Sequence, residues 1–201
     1  EKNLDKALSW YRNALEKNPN SEEGLYGMAT TLLKVQKPME AVAVYQRLLA
    51  ALTSKKSSVR QKSMAQMGIA RAYYQAKQWN QASEHYRKIA KHDPFYREAL
   101  MELSWSLFRG AQFRSALSPI ESLETPYYQN FYNPETLLLH GIILHFTCRY
   151  DEAVAPIDFF QSTYLPAQQS LSTWLDQKHT HEDLWREVES AQNTLKNLKS
   201  K

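Results

Sequence analysis

The chain has 201 residues, 43% of them apolar and 23% charged, with 25 Lys and Arg against 21 Asp and Glu for a net charge of +4. That apolar fraction is enough for a packed core, and five glycines with few β-branched runs argue against a sheet. The single cysteine, Cys148, excludes an internal disulfide and a thiolate metal cluster, and no run approaches the roughly 18 apolar residues that crossing a bilayer requires.

Ala7, Tyr11, Ala14 and Pro19 start a pattern that returns along the chain. They read as the second helix of a helix pair, so further residues are expected upstream. A first helix opens at Glu22 with Leu25, Met28, Ala29 and Leu32 three and four apart, and after Val35-Gln-Lys-Pro-Met a second carries Ala41, Tyr45 and Leu48. A seven-residue insertion follows, with Lys55, Lys56, Arg60 and Lys62; it reads as a solvated connector, or as a basic knob for an acidic partner or phospholipid head groups. The next unit, from Ser63, has Ile69, Ala70 and Tyr73, then Ala82, Tyr86 and Ile89. From Arg97, 34 residues later, Leu100, Leu103, Ser104 and Leu107 precede Ala116, Ile120 and Leu123. Glu124 to Pro134 is the longest irregular stretch, with four aromatics, and reads as a packed loop or as a partner-binding one. A last unit from Pro134 has Leu137, Gly141 and Leu144, then Ala153, Ile157 and Phe160. Pro19, Pro38, Pro94, Pro134 and Pro166 are expected at helix starts or just past helix ends.

At these positions the chain resembles the tetratricopeptide repeat family, whose 34-residue helix-turn-helix unit carries W-x2-L-G-x2-Y, then A-x3-F, then P. The departures are the missing Trp at the first consensus position, Thr53 in place of Pro, and the early end of the fourth unit at Pro126. The resemblance implies an all-α fold: a right-handed α-solenoid of stacked antiparallel helix pairs. About four full repeats would lie in residues 1–165, with a partial N-terminal one. Residues 166–201 would be capping helices or a degenerate sixth repeat. There Leu171, Trp174 and Leu175 keep the register, but Glu187 stands where other units have Ala. Thr180-x-x-Asp183 can cap a final helix whose seam is Leu184, Val188, Ala191, Leu195 and Leu198, suited to closing the solenoid or to self-association.

The family lines its concave face with fixed first-helix positions. Here those positions put Tyr26, Met67, Arg71, Tyr74, Met101, Trp105, Phe108, Arg109, Ile142 and His145 in a partner-binding groove. Aromatics and methionines would anchor a peptide or helix of another protein, with Arg71 and Arg109 orienting a carboxylate. Chaperone-binding members instead use a Lys/Asn/Arg clamp. The equivalent positions hold Tyr26, Thr30, Gly68, Glu98 and Glu102, or in the other register Met67, Arg71, Glu102, Glu135 and Leu139, so no clamp is expected.

Nucleic acid is not expected, since the basic residues are interspersed with acids and lack interleaved aromatics. No enzyme, cofactor or metal site is expected either: His179-x-His181 has no third ligand, His140 and His145 lie on different faces, and Cys148 beside Arg149 is a lone thiol. The alternative to an adaptor is a structural segment of a longer solenoid whose groove is filled from within. Ser122-Leu-Glu-Thr-Pro-Tyr-Tyr, Asn133-Pro-Glu-Thr and Cys148-Arg-Tyr-Asp-Glu-Ala also resemble repeat proteins of bacterial cell envelopes, including those of gliding motility. That implies a periplasmic or envelope location, with the cytoplasm as alternative.

Overall fold

The computed structural model describes residues 2–54, 58–128, 131 and 133–199, and the side chains of 3–54, 58–128, 131 and 133–193. Lys55 and Lys56, three residues of the aromatic loop (129, 130 and 132), and the side chains of Leu195 and Leu198 lie outside these.

The described residues form ten α-helices: α1 (Lys2–Lys17), α2 (Glu22–Lys34), α3 (Pro38–Ser54), α4 (Val59–Gln75), α5 (Trp79–Tyr86), α6 (Tyr96–Arg109), α7 (Phe113–Leu123), α8 (Pro134–Phe146), α9 (Tyr150–Leu175) and α10 (His181–Lys199). Each helix from α1 to α8 packs on its successor, and first helices also meet directly, α2 with α4 and α6 with α8. This is the stacked-pair solenoid that the repeat pattern predicts. Helix starts follow local chemistry: Ser21 accepts from Gly24 N, Ser58 and Gln61 form a capping box, and Pro134 sits in the first turn of α8.

The turn inside each pair has one recurring device. Gln36, Lys77, Ala111 and Cys148 have φ of 60°, 59°, 56° and 58°, and each donates its N–H to the carbonyl three residues back. The left-handed residue ends the first helix and turns the chain into the second. Close stacking between units rests on another: a Cβ added at Gly27 would lie 2.4 Å from Tyr11 Cζ, and one at Gly68 would lie 2.4 Å from Tyr45 Cζ. The tyrosine of a second helix therefore lies against bare backbone of the next first helix.

One buried cluster runs through α1 to α4 with Leu25, Leu32 and Ile69, and another through α4 to α9 with Leu107, Ile120 and Ile143. Tyr73 packs against both, which joins them into one core along the solenoid. Each fully buried Leu or Ile contributes about 1.5–3 kcal/mol against exposure, and this sets the stacking energy that no single pair could supply.

Pro166 departs from its expected place. It lies inside α9, as Pro156 does, so the helix runs on across the 165/166 position. The sequence between Phe160 and Leu175 has no glycine and no positive-φ residue of the kind that ends α2, α4, α6 and α8. The cap at Thr180 forms, with Thr180 N donating to Asp183 Oδ2 and Asp183 N to Thr180 Oγ1. Beyond it, every described side chain of α10 except Asp183 is exposed.

Candidate protein-binding groove

The inner face is built by α2, α4, α6 and α8. Its centre is a cavity of about 450 Å³ walled by Arg71, Tyr74, Tyr86, Glu102, Trp105 and Glu135. Arg71 reaches from α4 to α6: its Nε donates to Glu102 Oε1 and Oε2 at 3.1 and 2.9 Å, and its Nη2 to Glu98 and Glu102. Hydrogen bonding to Glu102, foremost, raises the Arg71 pKa, so the guanidinium stays charged throughout. Trp105 Nε1 donates to Glu135 Oε1 at 2.6 Å, tying α6 to α8. Burial, then the charge of Glu102, raises the pKa of Tyr86, and burial raises that of Tyr74.

Aromatic rings continue along the face. Trp105 meets Phe108 edge-on at 6.0 Å, Phe108 meets Phe146 at 5.3 Å and 85°, and Phe113 closes the group against both phenylalanines. Such edge-to-face pairs stabilise by about 0.5–1.5 kcal/mol beyond their buried area. Tyr74 packs on Trp79 at 5.0 Å, and Arg109 lies 5.7 Å over the same Trp79 ring. Toward the N-terminus Tyr26 is 38% exposed, edge-on to Tyr45, and borders a smaller depression of about 180 Å³ with Glu22, Glu23 and Met64.

The structure thus brings Arg71, Tyr74 and Trp105 together around one cavity, with Phe108 beside them. It corrects two expected groove residues: Met67 and Met101 are 2% and 9% exposed and belong to the core, because they pack in the buried cluster that runs from α4 to α9. Ile142 is half-buried, and His145 is exposed beside Tyr150 and Phe146. The carboxylate role expected of Arg71 meets an occupied guanidinium, and Arg109 is engaged on Trp79. Glu102, Glu135 and Tyr86 belong to the cavity wall although the pattern put Tyr86 in the packing stripe. Their signal was arithmetic: Arg71 and Glu102 are 31 residues apart, one helical turn short of the 34-residue step.

The aromatic loop divides. Tyr128 packs on the core, while Tyr127 and Phe131 are exposed, the latter under Arg97 at 5.0 Å. A second cavity of about 610 Å³ lies between this loop, α8 and α9; its wall includes the His140–Glu124 pair and Thr136, whose buried Oγ1 has no partner.

These features define a class, an α-solenoid with a concave, aromatic-rich face. Residues 10–43 and residues 67–119 each match the tetratricopeptide repeat family. These two segments carry tetratricopeptide repeats, and the fold they build suggests a protein–protein interaction scaffold. Among solved structures it is similar to MamA, with a TM-score of 0.69 at 14% identity over 83% of this chain and 91% of that one. It is also similar to YrrB, described as a TPR protein with an unusual peptide-binding site (0.61, 15%, 85% and 84%), and to PilW, a type IV pilus biogenesis factor (0.66, 20%, 85% and 74%). At these identities the likeness shows the fold alone. No curated protein matches the chain.

Proposed function

We propose that the protein is a non-enzymatic adaptor that holds an extended or helical segment of another protein along its concave face. The observation that carries this is the cavity between Tyr74 and Trp105, continued by the Phe108 cluster: rigid rings with polar tips in a concave site are the usual anchors of a bound segment. The peptide-binding site named for YrrB, a protein of the same fold, accords with this reading. A photo-crosslinking residue placed at Tyr26 or Gln75 on the inner side, and at Arg114 on α7, tests it in the source cell. One protein captured from both inner positions and not from Arg114 supports the adaptor; capture from Arg114 alone overturns it. The resemblance to envelope repeat proteins extends the proposal to a bacterial envelope scaffold, a location that fractionation of the source cell checks.

A second reading is favoured by a different surface. Leu138 on α8 and Val154 and Ile157 on α9 are 55%, 52% and 46% exposed, and Leu184, Trp185 and Val188 on α10 are exposed as well. Exposed apolar residues on the last helices suit stacking on another repeat array or a second copy, which is the structural-segment reading with self-association through the C-terminal helices. Sedimentation separates the two readings: an Ile157→Glu, Val188→Glu variant lowers the oligomeric state only under the second.

A further inference from the structure

The cavity at the centre of the groove has an electrostatic sign opposite to the one the arginine pattern suggests. Its wall sets two carboxylates, Glu102 and Glu135, against one guanidinium, Arg71, which also reaches Glu98 just outside it. Arg71 is spent on Glu102 and Glu98. Arg109 lies over Trp79, which is not part of the wall, and makes no carboxylate contact among the described residues. One negative charge is left over, and among the described residues Glu135 is the wall carboxylate with no ion pair: its partner is Trp105 Nε1, which donates to Oε1.

The rest of the wall has matching chemistry. Tyr74, Tyr86 and Trp105 supply π-systems, which attract a cation through their quadrupoles. The geometry also chooses between cations. Glu102 already gives both oxygens to Arg71, and Glu98 and Glu135 each have Oε1 engaged, so no carboxylate offers the open two-oxygen edge that a guanidinium fork needs. A single free oxygen suits a compact ammonium.

We propose that this pocket takes the ε-ammonium of a lysine on the partner segment, seated between the Tyr74 and Trp105 side chains and held by Glu135. This rests on the adaptor reading and adds the chemistry of its central anchor. The Arg71–Glu102 pair has a positioning role: it keeps Glu102 and Tyr86 in place and cancels a charge that would otherwise attract cations without selection. Partner segments with an acidic residue at this register are repelled by Glu135.

The test uses the chain with three probes, N-acetyl-lysine methylamide and its norleucine and glutamate counterparts, followed by the indole N–H resonance of Trp105, assigned through Trp105→Phe. The lysine probe is expected to shift this resonance with an affinity at least tenfold above that of norleucine, weakening with added salt. Glu135→Gln, which keeps an acceptor for Trp105, is expected to remove that preference without changing the melting temperature. Equal binding of norleucine and lysine, or a preference that survives Glu135→Gln, overturns the ammonium while leaving the groove standing. Stronger binding of the glutamate probe does the same. If no probe moves the Trp105 resonance, the anchor and the groove reading at this pocket fall together.

Discussion

Arg71 on α4 and Glu102 on α6 are joined side-on, with Nε within 3.1 Å of both carboxylate oxygens, so adjacent repeats are tied across the concave face by a pair lying on its wall. Both side chains are partly exposed, at 43% and 25%, and solvent screens much of the attraction. A double-mutant cycle of Arg71→Ala and Glu102→Ala read by urea unfolding is expected to give a coupling of about 1 kcal/mol, shrinking in high salt. A coupling near zero would mean that the pair shapes the groove and adds nothing to folding.

His85 carries a pH dependence with a defined sign. Burial, foremost, lowers its pKa from 6.5, and its Nδ1 faces the Gln66 amide at 2.6 Å, which donates to a neutral ring. The folded chain therefore refuses a proton that the unfolded chain accepts. Stability is complete above pH 6.5 and falls as the pH drops through the folded value. Melting temperatures between pH 7.5 and 5 are expected to drop less in His85→Gln than in the unchanged protein; equal drops would assign the acid sensitivity elsewhere.

Ala111 sits at φ 56° with a Cβ that the left-handed conformation disfavours. Ala111→Gly is expected to stabilise by roughly 0.5–1 kcal/mol in urea unfolding, the relief of strain exceeding the added freedom of the unfolded chain. The same exchange at helical Ala99, which is buried in α6, should destabilise.

Gly68 shows the reverse. Its backbone meets the ring of Tyr45, which is buried and whose hydroxyl lies 3.1 Å from Thr30 Oγ1, so the ring has little room to withdraw. Gly68→Ala is expected to lower stability by about 1–3 kcal/mol, as overpacking does. Adding Tyr45→Leu should recover part of the loss, because the ring atoms responsible are then absent. A thermal melt of the three variants checks this.

Much of the fold was legible because its signal is local. The Ala-x3-Tyr spacing, the small residues of the first helices and the short turns recur along the chain, and each reflects a helix face of fixed 3.6-residue period. The groove was legible only in part. Tyr74 and Trp105 line one cavity and Phe108 packs on Trp105, but Met67 and Met101, at equally regular positions, are core residues. Register specifies a helix face to within a turn, whereas exposure depends on how far neighbouring helices cover that face.

What the sequence by itself determined is the repeated unit, its all-helical character and the residues that stack one unit on the next, since burying a periodic apolar face leaves few alternatives. The tertiary structure alone decided that Arg71 neutralises Glu102, that Trp105 engages Glu135, that Gln36, Lys77, Ala111 and Cys148 adopt the left-handed turn without glycine, and that α9 continues through Pro166. Those outcomes depend on distances between side chains about 30 residues apart and on backbone torsions held by stacking. Neither is encoded in composition or spacing.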